Sequence, residues 1–388
     1  MKEKIIELGM HPYADTFVSK EQLQLTEPIY PLECLLDKEN FMISLGIKTN
    51  PEDRYNLYDY SYTSSNSLYA KNYWKSFYAD IIKAKLIKPN SEILEIGSND
   101  GFLLSIFKQN GFTNVYGFDS SKKMVEVAEK NQIKTFHGLF DLNTSNNINS
   151  KYDLIIANNV FNHANDPNNF LKGVVNVLSD DGVFVFEVPY WLNTVKDLRF
   201  DQIYHEHISY FTVKSAKYIL NSVGLHIFKI EKTEYHGGSI RIYSSLNISD
   251  NNELTKEYIN FEEKNGLFDI KTYKDYSSKI EEKKFKTLEH LCKLKLAKKK
   301  IVAVGAAAKG NTLLNYYGLN NGIIDYVTDN SEFKIGKFTP LSRIPILSDE
   351  EVFSKYEEVY ALILSWNISN ILKDKLLKIN SKIKFINL

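Results

Sequence analysis

A glycine-containing turn, EIGSNDG at residues 95–101, constrains the fold of this chain more than any other segment. It follows SEILEIG, which has the composition of a buried strand, and it opens a helical pattern at GFLLSIF. Further β-rich runs alternate with helical patterns and lie at 114–119, 152–160 and 182–189. Alternation of strands and helices predicts an α/β fold with a parallel, doubly wound sheet.

The sequence divides into four parts. After Phe211, a helical stretch leads to HIFKIEKTE and SIRIYSSL, for which we expect an antiparallel hairpin at the sheet edge. A segment rich in Lys, Glu and Asp then predicts amphipathic linking helices, and a second α/β unit begins at Lys300. The predicted parts are an N-terminal module (1–80), a cofactor-binding domain (81–247), a helical linker (248–299) and a C-terminal α/β domain (300–388).

Composition excludes several classes of protein. Because 48 basic residues balance 48 acidic ones, no global field attracts nucleic acid or an anionic membrane. The start of the chain has no apolar signal core, and no apolar run approaches membrane-spanning length. The two cysteines, Cys34 and Cys292, cannot build a disulfide framework or a Cys-rich zinc site. We therefore expect a cytoplasmic protein without a nucleic-acid or membrane partner; the sequence does not indicate its oligomeric state.

The turn at 95–101 has the features of a nucleoside-type cofactor site. Glycines let the backbone approach a ligand closely, and a helix start offers unpaired N–H donors. Asp119 ends the next strand, where its carboxylate can accept hydrogen bonds from both hydroxyls of a ribose. The expected cofactor-binding residues of this region are Glu95, Gly97, Asn99, Asp100, Gly101 and Asp119.

The spacing G-x-x-x-G distinguishes this turn from the dinucleotide pattern G-x-G-x-x-G. A pyrophosphate here would meet the Asp100 carboxylate, which is a like-charge clash. A sulfonium ligand without phosphate avoids the clash, so we expect S-adenosylmethionine as the cofactor. An NAD site and a plain strand–helix turn are the alternatives.

Two further strand ends extend the cofactor site. FHGLFD (136–141) contains Leu139 and Phe140, at the position where an adenine is usually flanked. ANNVFNH (157–163) places Asn158 and Asn159 at the carboxyl end of the fourth strand. Ligands of open α/β sheets bind at such ends.

Several motifs in order along the chain match one family: EIGSNDG, ANNVFNHANDPNNF, FDQIYHEHISYF, YHGGSIRIY, VGAAAKGNTLLN and LILSWN. Together they resemble the three-part sugar C-methyltransferases, which act on nucleotide-linked keto-deoxysugars. The resemblance runs from about Glu7 to the end of the chain. It implies a class I methyltransferase-type doubly wound sheet, a small N-terminal module and a C-terminal Rossmann-like domain that helps to hold the sugar nucleotide.

The N-terminal module departs from the family pattern. Members usually carry a zinc site of four cysteines in two C-x-x-C pairs. Here the first pair is absent, and Asp37 and Asn40 stand near the place of the second pair. We therefore expect no metal, and a module that folds without zinc or is looser than in its relatives.

C-methylation requires a base that makes an enolate and donors that stabilise its oxyanion. By similarity to the family's Y-x-E-H stretch, His207 would be the base, and a pKa near neutrality would suit that task. Tyr204 and Glu206 would position the sugar or steady the enolate, and His163 would touch the substrate. The resemblance also assigns substrate-binding roles to Tyr60, Tyr62, His236, Arg241, Gly305, Lys309 and Asn311.

Other interpretations of these segments stay open. His205 and His207 would share a face of a strand and could ligate a metal, although the spacing is not H-E-x-x-H. His207 could instead only pack a loop, and HGG (236–238) could be only a hairpin turn. In the C-terminal unit, Gly305 begins a G-x-A-x-x-G pattern, and Asp329 ends the following strand, which is close to a dinucleotide fingerprint.

We expect an S-adenosylmethionine-dependent C-methyltransferase acting on a nucleotide-linked keto-deoxysugar for a surface glycan or glycosylated metabolite. Four alternatives remain: an O-methyltransferase on a similar sugar, a C-methyltransferase on another small acceptor, a non-catalytic sugar-nucleotide- or cofactor-binding protein, and an oxidoreductase using the Gly305 loop.

Overall fold

Three β-sheets succeed one another in the computed structural model, which describes residues 2–56, 65, 67–249 and 251–386. They are a four-stranded N-terminal sheet, a seven-stranded central sheet and a five-stranded C-terminal sheet. Tyr60 and Tyr62, two of the expected substrate contacts, lie outside the described residues. Within the described ranges, no helix has the length and apolar content needed to cross a bilayer.

The regular elements are numbered along the chain. The strands are β1 (Lys2–His11), β2 (Tyr30–Asp37), β3 (Ile43–Leu45), β4 (Ile93–Ile96), β5 (Val115–Asp119), β6 (Lys134–His137), β7 (Tyr152–Asn158), β8 (Leu178–Pro189), β9 (Ser209–Tyr210), β10 (His226–Thr233), β11 (Ser239–Ser245), β12 (Ile301–Val304), β13 (Tyr326–Thr328), β14 (Ile346–Leu347), β15 (Tyr360–Ile363) and β16 (Lys384–Ile386). The helices are α1 (Pro51–Asn56), α2 (Leu68–Lys83), α3 (Phe102–Gln109), α4 (Lys122–Lys130), α5 (Leu142–Ser145), α6 (Pro167–Val177), α7 (Trp191–Lys196), α8 (Val213–Asn221), α9 (Asn252–Lys264), α10 (Ile270–Leu296), α11 (Ala308–Tyr317), α12 (Asp349–Phe353) and α13 (Ser369–Ile379).

The central sheet has the strand order β10-β11-β8-β7-β4-β5-β6. Its five strands from β8 to β6 are parallel, and β11 pairs antiparallel with both β8 and β10. This is the arrangement of class I methyltransferases. The expected doubly wound α/β sheet with a late antiparallel hairpin at its edge is therefore confirmed.

Local sequence explains why these elements form. All four residues of β4 are buried, as expected for a parallel strand covered on both faces. Helix α4 begins where the Ser121 side chain accepts a hydrogen bond from the Met124 N–H. The carboxyl ends of β4, β5, β7 and β8 meet at one edge of the sheet, so the residues that follow them come together there.

The N-terminal sheet is completed by a strand from the middle of the chain. Strands β1, β2 and β3 form an antiparallel meander, and β9 pairs with β3 through Ile43 and Tyr210. Cys34 is buried in this sheet, and burial raises the pKa of its thiol. Among the described residues, no group of three or more His, Cys, Asp or Glu is placed to hold a metal ion.

Asp37 and Asn40, which replace the expected second cysteine pair, support the turn from β2 to β3. The Asp37 carboxylate accepts a hydrogen bond from the Glu39 N–H at 3.0 Å, and the Asn40 side-chain oxygen accepts one from the Met42 N–H at 3.0 Å. The turn is therefore held by side chain–backbone hydrogen bonds.

The C-terminal sheet contains five parallel strands in the order β14-β13-β12-β15-β16. Helices α9 and α10 connect it to the central sheet. One continuous cluster of buried apolar side chains includes Ile6, Ile155 and Ile301, one from each sheet. The three sheets therefore pack against one another through a shared core.

Candidate active site

A cavity of about 530 Å³ lies at the carboxyl edge of the central sheet. Its wall comes from all three sheets and their loops: Asp15 and Arg54 precede the central sheet, and Lys309 and Asn367 belong to the C-terminal unit. Volumes of this order hold cofactors and small substrates. The cavity is therefore assembled by the whole chain, not by the cofactor domain alone.

The cofactor turn contributes its first half to the wall. Glu95, Gly97 and Asn99 line the cavity. Gly97 has φ +73°, and a Cβ there would stand 2.8 Å from the Val160 side chain, so only glycine fits. Burial and the nearby acids Asp100 and Asp119 raise the pKa of the Glu95 carboxyl well above its ordinary value.

Asp119 is fixed in place by two backbone hydrogen bonds. Its carboxylate oxygens accept from the Asn99 and Ser121 N–H groups, each at 2.8 Å. Burial raises the pKa of the Asp119 carboxyl, and these two bonds act against that shift. Each oxygen keeps a further lone pair, so the carboxylate can accept from two ribose hydroxyls.

Four polar side-chain atoms at the end of strand β7 could bind a polar ligand. The side-chain nitrogen and oxygen of both Asn158 and Asn159 are buried and have no hydrogen-bond partner in the part of the chain that the structure describes. Such groups are normally satisfied. Both residues line the cavity, as do Leu139 and Phe140, which supply apolar surface. This donor and acceptor set fits S-adenosylmethionine, whose amino-acid end is polar and whose adenine is flat and apolar-faced.

Two expected cofactor contacts have other roles, because neither Asp100 nor Gly101 lines the cavity. The Asp100 carboxylate accepts hydrogen bonds from the Ser65 N–H at 3.1 Å and hydroxyl at 2.5 Å, and from the Phe102 N–H. Gly101 has φ +74°, and a Cβ added there would stand 3.1 Å from the Ile133 side chain. These residues shape the start of α3 and do not face the cavity.

Four residues of FDQIYHEHISYF line the cavity: Gln202, Tyr204, Glu206 and His207. The His207 Nδ1 lies 2.9 Å from the Gln202 carbonyl oxygen, so Nδ1 carries the proton. Its Nε2 is then an acceptor, and the Tyr204 hydroxyl donates to it at 2.6 Å. Burial lowers the pKa of His207 to about 4, below the expected neutral range. The imidazole is therefore uncharged at neutral pH, which is the form that can accept a proton.

Two other expected catalytic groups share this wall. The ring centroids of His163 and His207 are 5.1 Å apart, and burial lowers the pKa of His163 well below its ordinary value. Glu206 is also buried, and burial together with the charge of Asp15 raises the pKa of its carboxyl to about 8. The four expected catalytic residues thus lie together at one cavity.

His236 and Lys309 line the same cavity, and burial, helped by the Lys309 charge, lowers the pKa of His236. His236 has φ +53°, and its carbonyl accepts a hydrogen bond from the Gln202 side chain at 2.6 Å. The Lys309 ammonium donates to the Asn367 side chain and lies 4.6 Å from the ring centroid of Trp366. Burial lowers the pKa of Lys309 to about 8.

Three expected substrate contacts need correction, because Arg241, Gly305 and Asn311 do not line the cavity. Arg241 is buried and pairs with Glu187 at 2.8 Å, so its role is structural. A Cβ on Gly305 would stand 2.2 Å from the Ser365 hydroxyl, so this glycine permits close packing. The Asn311 side chain donates to a backbone carbonyl of the N-terminal module at 2.6 Å.

Sequence reasoning missed several residues of the wall: Asp15, Arg54, Trp74, Gln202, Lys334 and Asn367. Gln202 and Asn367 stand inside motifs that the family resemblance rests on, so a signal for them existed. Asp15, Arg54 and Lys334 carry no local signal, because only the packing of the three sheets brings them to the cavity.

His205 and His207 do not form a metal-binding pair, because the two rings have different neighbours. Its two ring nitrogens lie 3.3 Å from the Pro12 and Pro31 carbonyl oxygens. Its ring also packs edge-on against Tyr13 and Tyr30. His205 therefore joins the central unit to the N-terminal sheet.

Comparison with known proteins agrees with this geometry. Residues 69–230 match the family model described as a methyltransferase domain, and residues 234–387 match the one described as the C-methyltransferase C-terminal domain. The chain is similar to the C-methyltransferase NovU of Streptomyces niveus, with 27% identity over 368 residues that cover 94% of this chain and 87% of that protein.

Partial similarities to other proteins also exist. A ribosomal protein L11 methyltransferase of Dictyoglomus thermophilum is 31% identical over 103 residues, which cover 26% of this chain and 33% of that protein. The solved structure of a magnesium protoporphyrin IX methyltransferase from Synechocystis PCC 6803 with bound S-adenosylhomocysteine matches with 18% identity and a TM-score of 0.36, over 45% of this chain and 82% of that one. The two family models and the relative matched over nearly the full chain carry the assignment: this chain contains a methyltransferase domain followed by a C-methyltransferase C-terminal domain, and it is an S-adenosylmethionine-dependent methyltransferase.

Proposed function

We propose that the chain transfers a methyl group to a carbon atom of a nucleotide-linked keto-deoxysugar. The observation that carries this proposal is the Tyr204–His207 pair, which faces the same cavity as the Asp119 carboxylate and the Lys309 ammonium. A base that shares its cavity with the cofactor turn suits carbon methylation, and the cations Lys309 and Lys334 in the same cavity suit a diphosphate. Bound S-adenosylmethionine supplies the electrophilic methyl group.

The base step is assigned to His207 with Tyr204. A proton on the carbon next to a ketone is acidified by that ketone, and its removal leaves an enolate. The proton ends on Nε2 of His207, because Nδ1 is committed to the Gln202 carbonyl. It reaches Nε2 directly or through the Tyr204 hydroxyl, which donates to that nitrogen. The carbanion carbon then bonds the methyl group, and the leaving sulfur keeps the electron pair.

The enolate oxygen needs a donor close to the base. Glu206 and His163 line the same part of the cavity, and both are held in their neutral forms by burial. A neutral carboxyl group donates one hydrogen bond, and it does so without adding negative charge beside the oxyanion. We therefore assign Glu206 to the ketone oxygen and His163 to a neighbouring hydroxyl of the sugar.

The diphosphate is assigned to the C-terminal wall. Lys309 and Lys334 line the cavity there, together with Ala307 and Ala308 at the start of α11. Small residues let backbone N–H groups approach a phosphate, and the lysines compensate its charge. The predicted four-part division, with boundaries at 80, 247 and 299, is consistent with this use of the C-terminal unit as a substrate domain.

A matched pair of acceptors tests the proposal. The full-length protein is incubated with S-adenosylmethionine carrying a ¹³C-methyl group and either a nucleotide-linked keto-deoxysugar or the same sugar reduced to the alcohol. We expect methylation of the keto form alone, with the labelled carbon bonded to the carbon next to the ketone in the NMR spectrum. A methyl group on oxygen, or equal turnover of both acceptors, would identify an O-methyltransferase instead.

A further inference from the structure

The segment HPYADTFV of the N-terminal module (residues 11–18) is clamped onto the rest of the molecule at the cavity. Its backbone anchors are the Pro12 carbonyl near His205 Nδ1 at 3.3 Å, the Ala14 carbonyl bonded by Asn311 at 2.6 Å, and Val18 bonded in both directions to Phe338 at 3.0 and 2.8 Å. These anchors reach both the central and the C-terminal units. The segment is therefore a fixed part of the active-site wall.

Asp15 stands in the middle of this clamped segment and lines the cavity. Its side chain is only 10% exposed, and its carboxylate lies 4.0 Å from the Lys334 ammonium. The backbone N–H of Asp15 donates a hydrogen bond to the Glu206 carboxyl. Two acidic side chains from different units of the chain are thus neighbours in the same wall.

The surroundings of Glu206 decide its protonation. Burial favours the neutral carboxyl most strongly, and the negative charge of Asp15 acts in the same direction, so that its pKa is raised to about 8. The cations Arg54 and Lys334 and the hydrogen bond from the Asp15 N–H act in the opposite direction. His163 and His207 also line this cavity, and burial lowers the pKa of both, so that their imidazoles are uncharged at neutral pH.

We propose that Asp15 is a positioning residue of the reaction: its carboxylate keeps the neighbouring Glu206 protonated, so that Glu206 presents an O–H donor to the carbonyl oxygen of the acceptor. The role of the donor rests on the proposed function, whereas the link between Asp15 and Glu206 is a property of the protein alone. The N-terminal module then serves the active site through Asp15.

The protein-only part of the proposal is tested by infrared difference spectroscopy of the full-length protein during a pH titration. The carboxylic-acid carbonyl band that disappears in Glu206→Gln is assigned to Glu206. We expect its midpoint near pH 8 in the natural protein and at least about one pH unit lower in Asp15→Asn, which keeps the side-chain shape but removes the charge. Asp15→Glu restores the charge and should restore most of the midpoint.

Two controls complete the titration. Asp180→Asn removes an exposed carboxylate, so it should leave the midpoint unchanged. Lys334→Met removes a cation that favours the charged form, so it should move the midpoint upward, opposite to Asp15→Asn. The Lys334 variant also keeps the idea testable if Asp15→Asn does not fold. An unchanged midpoint in a folded Asp15→Asn, or in Lys334→Met, overturns the proposal.

The catalytic part is tested by the pH dependence of kcat. Because the donor must be protonated, activity should fall as pH rises through the pKa of Glu206. In Asp15→Asn this fall should move to lower pH, and in Glu206→Gln, whose amide donates at every pH, it should disappear. A fall that persists near pH 8 in Glu206→Gln points to Lys309, whose pKa is also about 8, and contradicts the role of Glu206 as donor. If the infrared midpoints shift but the pH profile of kcat does not, the link between Asp15 and Glu206 holds and the proposed role of Glu206 as donor fails.

Discussion

Replacing His207 with alanine is expected to lower the rate of methyl transfer by roughly 10²–10⁴-fold, the usual contribution of a general base. The variant loses the Nε2 atom that accepts from the Tyr204 hydroxyl and that receives the substrate proton in the proposed reaction. The measurement is kcat with saturating acceptor, alongside calorimetric binding of S-adenosylhomocysteine. Cofactor affinity should stay unchanged, because the cofactor turn lies on other strand ends.

His290→Ala is the matched control, because His290 is exposed on α10 and away from the cavity. It should retain full activity. Tyr204→Phe decides the route of the proton: retained turnover indicates direct transfer to His207, and a loss close to that of His207→Ala indicates a relay. Near-normal turnover of His207→Ala would remove this residue from the role of base.

Replacing Asp119 with alanine is expected to weaken S-adenosylhomocysteine binding by about 1.5–3 kcal/mol, the scale of hydrogen bonds to a charged group. This corresponds to roughly a ten- to 140-fold rise in Kd. The carboxylate is already oriented by the Asn99 and Ser121 N–H groups, so its two outward lone pairs meet the ribose without reorganisation. Calorimetric titration gives the affinity directly.

Asp329→Ala is a close control for this variant. The Asp329 carboxylate accepts from the Ala306 and Ser331 N–H groups at 2.8 and 2.9 Å, which repeats the bonding of Asp119 in the C-terminal sheet. Asp329 does not line the cavity, so its loss should leave the affinity for S-adenosylhomocysteine unchanged. Equal affinity of natural protein and Asp119→Ala would mean that the ribose binds elsewhere.

The central sheet was predictable because its signals are local. Each parallel strand is a short apolar run that ends in a turn, and β4 with its glycine turn and β5 with Asp119 follow that rule. The side chains at those strand ends share one edge for topological reasons, so Glu95, Asn158 and Asp119 could be placed together without coordinates.

Side-chain direction was the main source of error. Arg241 and His236 are five positions apart on one hairpin, yet His236 faces the cavity and Arg241 forms a buried ion pair with Glu187. The motif around Asn311 suggested a ligand contact, but this side chain bonds the Ala14 carbonyl, 297 positions away. Neither partner can be identified from the local sequence.

The protonation states of the site residues could not be predicted from the sequence either. A histidine in a polar motif is expected to titrate near neutrality, but burial lowers the pKa of His207 to about 4. The position of Asp15 beside Glu206 could not be predicted either, because it depends on three long-range contacts of the N-terminal segment. The strands of the N-terminal sheet also went unassigned, since β9, which completes that sheet, comes from more than 160 positions further along the chain.

The most direct test of carbon methylation is hydrogen exchange in D₂O, with S-adenosylhomocysteine in place of the methyl donor and a nucleotide-linked keto-deoxysugar as acceptor. The Tyr204–His207 base should remove a proton without any methyl transfer, so deuterium should appear at one carbon next to the ketone. His207→Ala should show no such exchange. If a keto-deoxysugar that the protein does methylate shows no exchange at any carbon, enolate formation by this base is contradicted.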